Sequence, residues 1–201
     1  MSIQSPSAGF LAEELEPQAE IAPRSSFLRR TLLIILLVAL IFILTYALAW
    51  FNAYRLSARF IQDADDSYAG EVYLQALVGT EEFDPQTNRN VKKGGYLNVE
   101  KIWSSSLSWP EPSILEGARL RSQEIINQRL TIEMAENYIR ANTGRPAAYF
   151  AEIYLRLGEL YEQEGDLLSA RDIYESIPEL FANRSDLIEK AKEHLQRLEG
   201  G

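Results

Sequence analysis

Cysteine is absent from this chain of 201 residues, and histidine occurs once, at His194. The absence of cysteine excludes disulfides, thiolate zinc sites, iron–sulfur clusters and cysteine nucleophiles. The single histidine excludes any site that needs two imidazole groups. These residue types carry much of enzyme chemistry, so the sequence predicts a protein that is not an enzyme and has no catalytic site, metal site or cofactor.

Motifs for phosphate binding and nucleophilic catalysis are lacking as well. The chain has no phosphate-binding Gly-x-x-x-x-Gly-Lys loop, no Gly-x-Gly-x-x-Gly and no Gly-x-Ser-x-Gly. The acidic cluster at Asp63, Asp65 and Asp66 does not have the spacing of a calcium loop, and we interpret it as solvated charge. His194 is predicted on the polar side of the last helix, as a surface residue.

Basic residues are fewer than acidic residues in this chain. The chain has 20 Lys and Arg against 29 Asp and Glu, which gives a formal net charge of −9. A chain this acidic is not attracted to phosphate backbones. The composition therefore predicts no nucleic-acid partner.

One long segment contains no charge at all: residues 31–51, TLLIILLVALIFILTYALAWF. At 1.5 Å per residue, a helix of that length measures about 31 Å, the thickness of a bilayer's hydrocarbon core. Trp50, Phe51 and Tyr54 lie at its far end, where aromatic rings prefer the headgroup region. We expect a transmembrane helix in contact with the lipid bilayer. The alternative is a signal peptide, with Ala47-Leu48-Ala49 as the cleavage site, but the apolar run is longer than a signal peptide needs.

Basic residues around this run favour one orientation. Arg24, Arg29 and Arg30 precede the run, whereas Arg55 and Arg59 follow it. The positive-inside rule then predicts a cytoplasmic amino terminus. The expected location is the inner (cytoplasmic) membrane, with the carboxy-terminal domain outside the cytoplasm, in the periplasm.

The remaining composition divides the chain further. Residues 1–30 are predicted to be a disordered cytoplasmic tail, 52–79 a juxtamembrane helical stalk, 80–112 a loop-rich connector and 113–201 a helical domain. In the connector, Trp103 and Trp109 are expected to anchor the loop on the helical domain. The alternative is that the two Trp side chains form a partner-binding patch.

Helical periodicity dominates from Ser113 onward. Arg145-Pro146 is expected to open a helix that ends at Gly165, Asp166 to cap the next helix, and Pro178 to stop it. A last amphipathic helix is predicted over 185–198. The fold class is therefore all-α, with one transmembrane helix followed by a small domain of helical hairpins.

Residues 151–184 resemble a tetratricopeptide repeat, a helix–turn–helix unit of 34 residues. The matching residues are Tyr154, Leu157, Gly158, Tyr161, Gly165, Ala170 and Tyr174. Small side chains at Gly158 and Ala170 let two helices cross closely, while the Tyr side chains fill the space around the crossing. Ile177 and Ala182 depart from the family pattern. The resemblance implies that 185–198 is a cap helix; 114–146 is either a degenerate repeat or one long packing helix.

The resemblance also implies a peptide-binding groove on the concave face. The groove residues would be Glu152, Leu155, Glu159, Glu162 and Gln163. This surface is acidic, so a basic or mixed apolar segment would suit it. The expected function is a membrane-anchored scaffold that binds a protein partner or a multiprotein envelope complex. The alternatives are a chaperone-like accessory to protein export and a homo-oligomeric structural component.

Overall fold

The computed structural model describes the backbone of residues 24–200 and the side chains of residues 27–200. Within that range the chain is mostly helical, as predicted, and it divides into two compact units, 1–46 and 47–201. In chain order the elements are α1 (Arg24–Ala69), α2 (Tyr73–Val78), β1 (Thr80–Asp84), β2 (Arg89–Lys93), α3 (Tyr96–Ile102), α4 (Ser113–Glu124) with a π-helical turn (Ile125–Arg129), α5 (Ile132–Asn142), α6 (Phe150–Glu164), α7 (Leu167–Leu180) and α8 (Ser185–Gly200).

The described part of the first unit is the beginning of α1. This helix is long and apolar enough to cross a membrane, and none of the residues in its most apolar stretch of 18 is buried. Length and composition alone do not separate a membrane span from a signal sequence. The predicted disordered tail is wrong over residues 24–30, which are helical, since the helix continues back from the apolar run. The rest of that prediction, residues 1–23, lies outside the described residues.

The second unit begins with the end of α1, which is part of a hydrophobic core. Ser57 and Ala64 are fully buried. The indole nitrogen of Trp103 donates a hydrogen bond to the Ser57 hydroxyl at 2.8 Å, and the Tyr96 hydroxyl donates to Asp65 at 2.5 Å. The helix does continue beyond the apolar run, to Ala69. The prediction that 52–79 is a stalk is nevertheless wrong, because α2, α3 and the end of α1 pack together in one core.

The predicted loop-rich connector, 80–112, is largely regular structure. Strands β1 and β2 form an antiparallel hairpin in which Thr80 pairs with Lys93 and Asp84 with Arg89. Its turn is closed by Asp84, whose carboxylate accepts hydrogen bonds from the Gln86 backbone and the Thr87 hydroxyl; these bonds lower the pKa of Asp84. Helix α3 follows, so irregular structure in 80–112 is confined to the hairpin turn, Gly94-Gly95 and residues 103–112.

Glycines close the base of this hairpin. Gly79 and Gly95 have φ angles of 76° and 87°, in the left-handed region that glycine tolerates best. A Cβ on Gly95 would lie 2.5 Å from the Gly79 nitrogen, so the two backbones meet there without room for a side chain. The Asn98 amide clamps the junction by donating to the carbonyls of Val78 at 3.0 Å and Gly94 at 2.8 Å.

Residues 113–142 form two helices instead of one long helix. The chain leaves the π-helical turn at Leu130, and the Thr131 hydroxyl then caps α5 by accepting a hydrogen bond from the Met134 nitrogen. The alternative of one long packing helix is therefore wrong. Helix α4 packs chiefly on α3, and α5 packs on α6.

The structure agrees with some of the predicted ends of α6 and α7 and not with others. Gly165 ends α6 in a left-handed conformation, and Asp166 caps α7 by accepting from the Ser169 nitrogen at 3.1 Å, both as predicted. Two predictions are wrong: α6 begins at Phe150 instead of Pro146, and α7 continues through Pro178 to Leu180. Pro178 does not stop α7, which ends two residues later, at Leu180.

The residues that carry the repeat resemblance lie at the α6–α7 contact. A Cβ on Gly158 would lie 2.6 Å from the Tyr174 ring, so α7 approaches α6 too closely for any side chain at this position. Ala170 and Tyr174 are fully buried, and Leu157 is buried as well. The Tyr154 hydroxyl lies 2.9 Å from that of Ser176, and the Tyr161 hydroxyl donates to Glu136 of α5.

Candidate functional site

The groove predicted on α6 is not open. Leu155, one of its five residues, is only 4% exposed and belongs to the core shared with α7 and α8, so its assignment to a groove is wrong. Glu152 forms an ion pair with Arg184, just before α8, at 2.9 Å. Of the five residues, Gln163 alone is fully exposed. The last helix, predicted only as a cap, covers this face of α6.

Glu159 and Glu162, the other two groove residues, belong to a polar cluster between α6, α7 and α8. The cluster consists of Arg156, Glu159, Glu162, Tyr174, His194 and Arg197. Glu162 contacts His194 Nδ1 at 2.6 Å and accepts from the Tyr174 hydroxyl at 2.8 Å. Arg156 donates to Glu159 at 2.7 Å. The side chain of His194 is only 16% exposed, so the prediction of a surface histidine is wrong.

One nitrogen of His194 contacts both an acidic and a basic side chain. His194 Nδ1 lies 2.6 Å from both Glu162 and Arg197, and one nitrogen cannot donate to the first and accept from the second. A hydrogen bond from His194 to Glu162 requires the proton on Nδ1. Burial alone would raise the pKa of Glu162, but the hydrogen bonds from His194 and Tyr174 outweigh it and hold that pKa below its usual value.

The side chains of this cluster bind one another and so stabilise the packing of the helices. Burial, followed by the hydrogen bond to Glu162, raises the pKa of the Tyr174 hydroxyl far above its usual range, so it remains a donor. Glu159 accepts from Arg156 one turn away on α6, and Glu162 contacts Tyr174 of α7 and His194 of α8. The cluster therefore braces α8 against α6 and α7.

The predicted pair of Trp residues does not form one patch. Trp103 is buried, and its ring contacts that of Trp50 edge-on with 5.5 Å between centroids. Trp109, by contrast, is 77% exposed. Trp103 is thus an anchor of the connector, as the first interpretation had it, and Trp109 alone presents its side chain to the surroundings.

An open cleft that the sequence did not indicate lies elsewhere in the second unit. Its volume is about 810 Å³, and it lies between the β-hairpin, α2, α3, α4, α5 and the loop before α6. Its apolar lining is supplied by Leu74, Val78, Leu97, Ala141 and Ala147. Pockets of a few hundred cubic ångströms and more with an apolar lining and a few polar groups are the usual form of a binding site.

Several polar side chains of the cleft already form hydrogen bonds or ion pairs within the protein. Glu100 accepts hydrogen bonds from Ser122 at 2.6 Å and Tyr149 at 2.9 Å. Lys92 pairs with Glu81 across the hairpin, and Arg119 pairs with Glu111. In the described part of the chain, Lys101 is the lining cation without such an ion pair. The cleft thus offers an apolar floor, amide groups from Asn137 and Asn142, and one available positive charge. The Asn98 amide nitrogen already donates to the carbonyls of Val78 and Gly94.

Tyr138 stiffens the wall of the cleft. Its hydroxyl donates to the Ala148 carbonyl at 2.5 Å and so ties α5 to the loop before α6. Burial, more than the nearby charge of Glu152, raises the pKa of Tyr138 to about 12. The phenol therefore remains protonated, and the tie persists, throughout the physiological pH range.

Sequence reasoning missed this cleft because its residues come from several separate segments. The available signal is Gly94-Gly95, which lies within the predicted loop-rich connector. A pair of glycines, with Gly79 at the other end of the segment, is also compatible with the tight base of a hairpin. No family model matches the chain, and comparisons with curated proteins and with solved structures give no significant match. The tetratricopeptide resemblance accordingly stands on its residues alone.

Proposed function

We propose that this protein is a single-pass membrane-anchored adaptor whose helical unit binds a protein partner in the cleft between the β-hairpin and α5. The observation that carries the proposal is the cleft itself, which is open, largely apolar and rimmed by fixed polar groups. Residues 31–51 would hold the protein in the bilayer, and the α6–α8 segment would be a tetratricopeptide-like repeat with its cap helix.

The chemistry of the cleft indicates the kind of partner. Its floor of Leu, Val and Ala side chains suits an apolar side chain, and the Asn amides suit a peptide backbone. Lys101 suits a carboxylate. A segment with an apolar residue next to an acidic one fits best, in place of the basic segment expected for the α6 groove. Helix α8 already covers much of the α6 surface on which the sequence predicts a groove.

The orientation proposed for the chain follows from the Arg bias and places the helical unit outside the cytoplasm. Because the chain has no cysteine, Gly201→Cys would be the single reactive thiol. We expect a membrane-impermeant maleimide to label it in cells whose outer envelope is opened. Labelling only after the inner membrane is broken would show the opposite orientation, with the helical unit in the cytoplasm. The cleft proposal would not be affected.

The binding proposal is tested by photo-crosslinking from a single cysteine in the cleft. Asn137→Cys, modified with a benzophenone maleimide, should give a discrete crosslinked product with a second protein in native membranes. The matched control is Leu168→Cys on α7, which is exposed and does not line the cleft. We expect no discrete product from the control position.

A second substitution shows whether the crosslink depends on the cleft. Ala141 lines the cleft and is exposed, so Ala141→Trp fills the space without disturbing the core. We expect it to abolish the Asn137 product. A product that persists with Ala141→Trp, or equal products from both cysteines, would refute the cleft as the binding site. A product of twice the chain's mass would identify a homo-oligomer.

A further inference from the structure

The irregular loop between α3 and α4, residues 104–112, is attached to the end of the apolar run. The indole nitrogen of Trp50 donates a hydrogen bond to the Pro110 carbonyl at 2.9 Å. Trp50 also stacks on Tyr54, with ring centroids 5.6 Å apart and planes within 7° of each other, and contacts Trp103. These contacts all lie within the second unit and fix the 104–112 loop beside one turn of α1.

That turn is the end of the apolar run at 31–51. Trp50 and Phe51 are the last residues of this run, and Arg55, the first charged residue after it, follows within one turn. Trp and Tyr rings in such positions lie at the level of the lipid headgroups, with the apolar ring in the membrane and the N–H or O–H in the polar zone. The Pro110 carbonyl that Trp50 binds is then at the same depth.

The 104–112 loop has the composition of a segment that enters this zone. Its two large apolar side chains, Leu107 and Trp109, are 78% and 77% exposed. The segment reads SSSLSWPEP and contains no Lys or Arg. Its one acidic side chain, Glu111, is already neutralised by Arg119 at 3.2 Å. Burying the loop in the interface would therefore cover two large side chains without desolvating an unpaired charge.

We propose that the 104–112 loop is a second membrane contact, in which Leu107 and Trp109 insert into the interface of the bilayer that α1 spans. This inference rests on the proposed membrane anchoring. Attraction to anionic headgroups plays no part in it, because the loop carries no positive charge. A lipid surface is favoured over a protein partner because the loop is attached to Trp50, the residue that marks the boundary.

The test uses the full chain in phosphatidylcholine vesicles and one introduced cysteine at a time, labelled with a fluorophore that brightens in an apolar environment. The loop position is Leu107→Cys, which leaves Trp109 in place. The matched control is Leu168→Cys, equally exposed at 77% but on α7. Val38→Cys, in the middle of the apolar run, reports separately on the anchor.

We expect lipids that carry a quencher near the headgroup to remove most of the Leu107→Cys signal and to leave Leu168→Cys unchanged. Lipids with the quencher deep in the chains should instead act on Val38→Cys. A second substitution, Trp109→Ala, should weaken the quenching at position 107, because it removes the one large apolar side chain that Leu107→Cys leaves in the loop.

Three results would overturn the proposal. Quenching at position 38 without quenching at position 107 would leave the anchor in place and show that the loop does not enter the membrane. Equal quenching at 107 and 168 would show unspecific adsorption of the whole unit. No quenching at position 38 would refute the membrane anchor itself, and the loop contact with it.

Discussion

Residues 150–200 and residues 47–112 are built in opposite ways. In the first segment, α6, α7 and α8 follow one another along the chain and pack with their sequence neighbours. In the second, the decisive contacts join distant residues: Trp103 with Ser57, Tyr96 with Asp65, and Trp50 with Pro110. Each of these hydrogen bonds spans 31 to 60 positions in sequence.

This difference shows what a repeat resemblance is able to reveal. Helical hairpins repeat a local pattern, so the small residue at Gly158 and the turn at Gly165 are recognisable in sequence. The core around the end of α1 has no such pattern, because its members come from a helix, a hairpin and a loop. The two segments should therefore respond differently to substitutions at their central contacts.

The largest effect is expected from Trp103→Ala, which breaks the distant contact on which the connector depends. Trp103 is 3% exposed and bonded to the buried Ser57 hydroxyl. Truncating a buried Trp costs about 3–5 kcal/mol in the free energy of unfolding. Thermal unfolding of the full chain in detergent, followed by near-ultraviolet circular dichroism, measures it. Leu168→Ala, at an exposed site, should change stability by less than about 0.5 kcal/mol; similar losses in both would show that Trp103 is not a central contact.

An intermediate effect is expected from Gly158→Ala, which tests the local contact between α6 and α7. The added methyl group would meet the buried Tyr174 ring at 2.6 Å, and such overpacking costs about 1–3 kcal/mol. Gly117→Ala is the matched control, since Gly117 lies inside α4 with no atom within 4 Å of a Cβ. That change should stabilise the protein by about 0.5–1 kcal/mol. Chemical denaturation separates the two, and an unchanged or increased stability of Gly158→Ala would contradict the close crossing.

The smallest effect is expected from Glu162→Gln, which weakens the brace between α8 and α6. Hydrogen bonds to a charged group contribute about 1.5–3 kcal/mol when fully buried, and Glu162 is partly exposed, so we expect roughly 1 kcal/mol. The pKa of Glu162 is lower in the folded protein than its ordinary value of 4.5. Its charge therefore stabilises the fold above about pH 4.5, and this contribution is lost as the pH falls through the folded pKa.

The measurement for this prediction is the free energy of unfolding of the wild-type protein and the Glu162→Gln variant between pH 3 and pH 8. The gap between the two curves should close as the pH falls below about pH 4.5. Glu164→Gln, an exposed carboxylate on the same helix, should leave the wild-type curve nearly unchanged. A gap that persists at pH 3 would show that the Gln side chain disturbs packing, and that the ionic brace is not the cause.

Much of the fold was predictable because it depends on local patterns. The apolar run at 31–51, the turn at Gly165 and the cap at Asp166 follow from residue types at fixed spacings. The β-hairpin was not predicted, because β1 and β2 consist mostly of charged and polar residues, with single apolar residues at Phe83 and Val91, a pattern that also suits a loop.

The candidate site was the least predictable part. The repeat resemblance located a groove on α6, but no pattern within α6 shows that α8 returns to cover it. Pairing of Glu162 with His194 is a contact across 32 positions, and each of these residues by itself is typical of a solvated helix face. The cleft could not be predicted at all, since its walls come from segments that are far apart in the chain.

What the sequence by itself determined is the helical content, one uncharged helix of bilayer length and the packing residues of one helical hairpin. Periodicity and length carry that information within a few turns of chain. Only the tertiary structure decided which surfaces remain open. A side chain's exposure depends on which distant segment reaches it: α8 closes the face of α6, the end of α1 enters the core, and the hairpin and α5 leave a cleft between them.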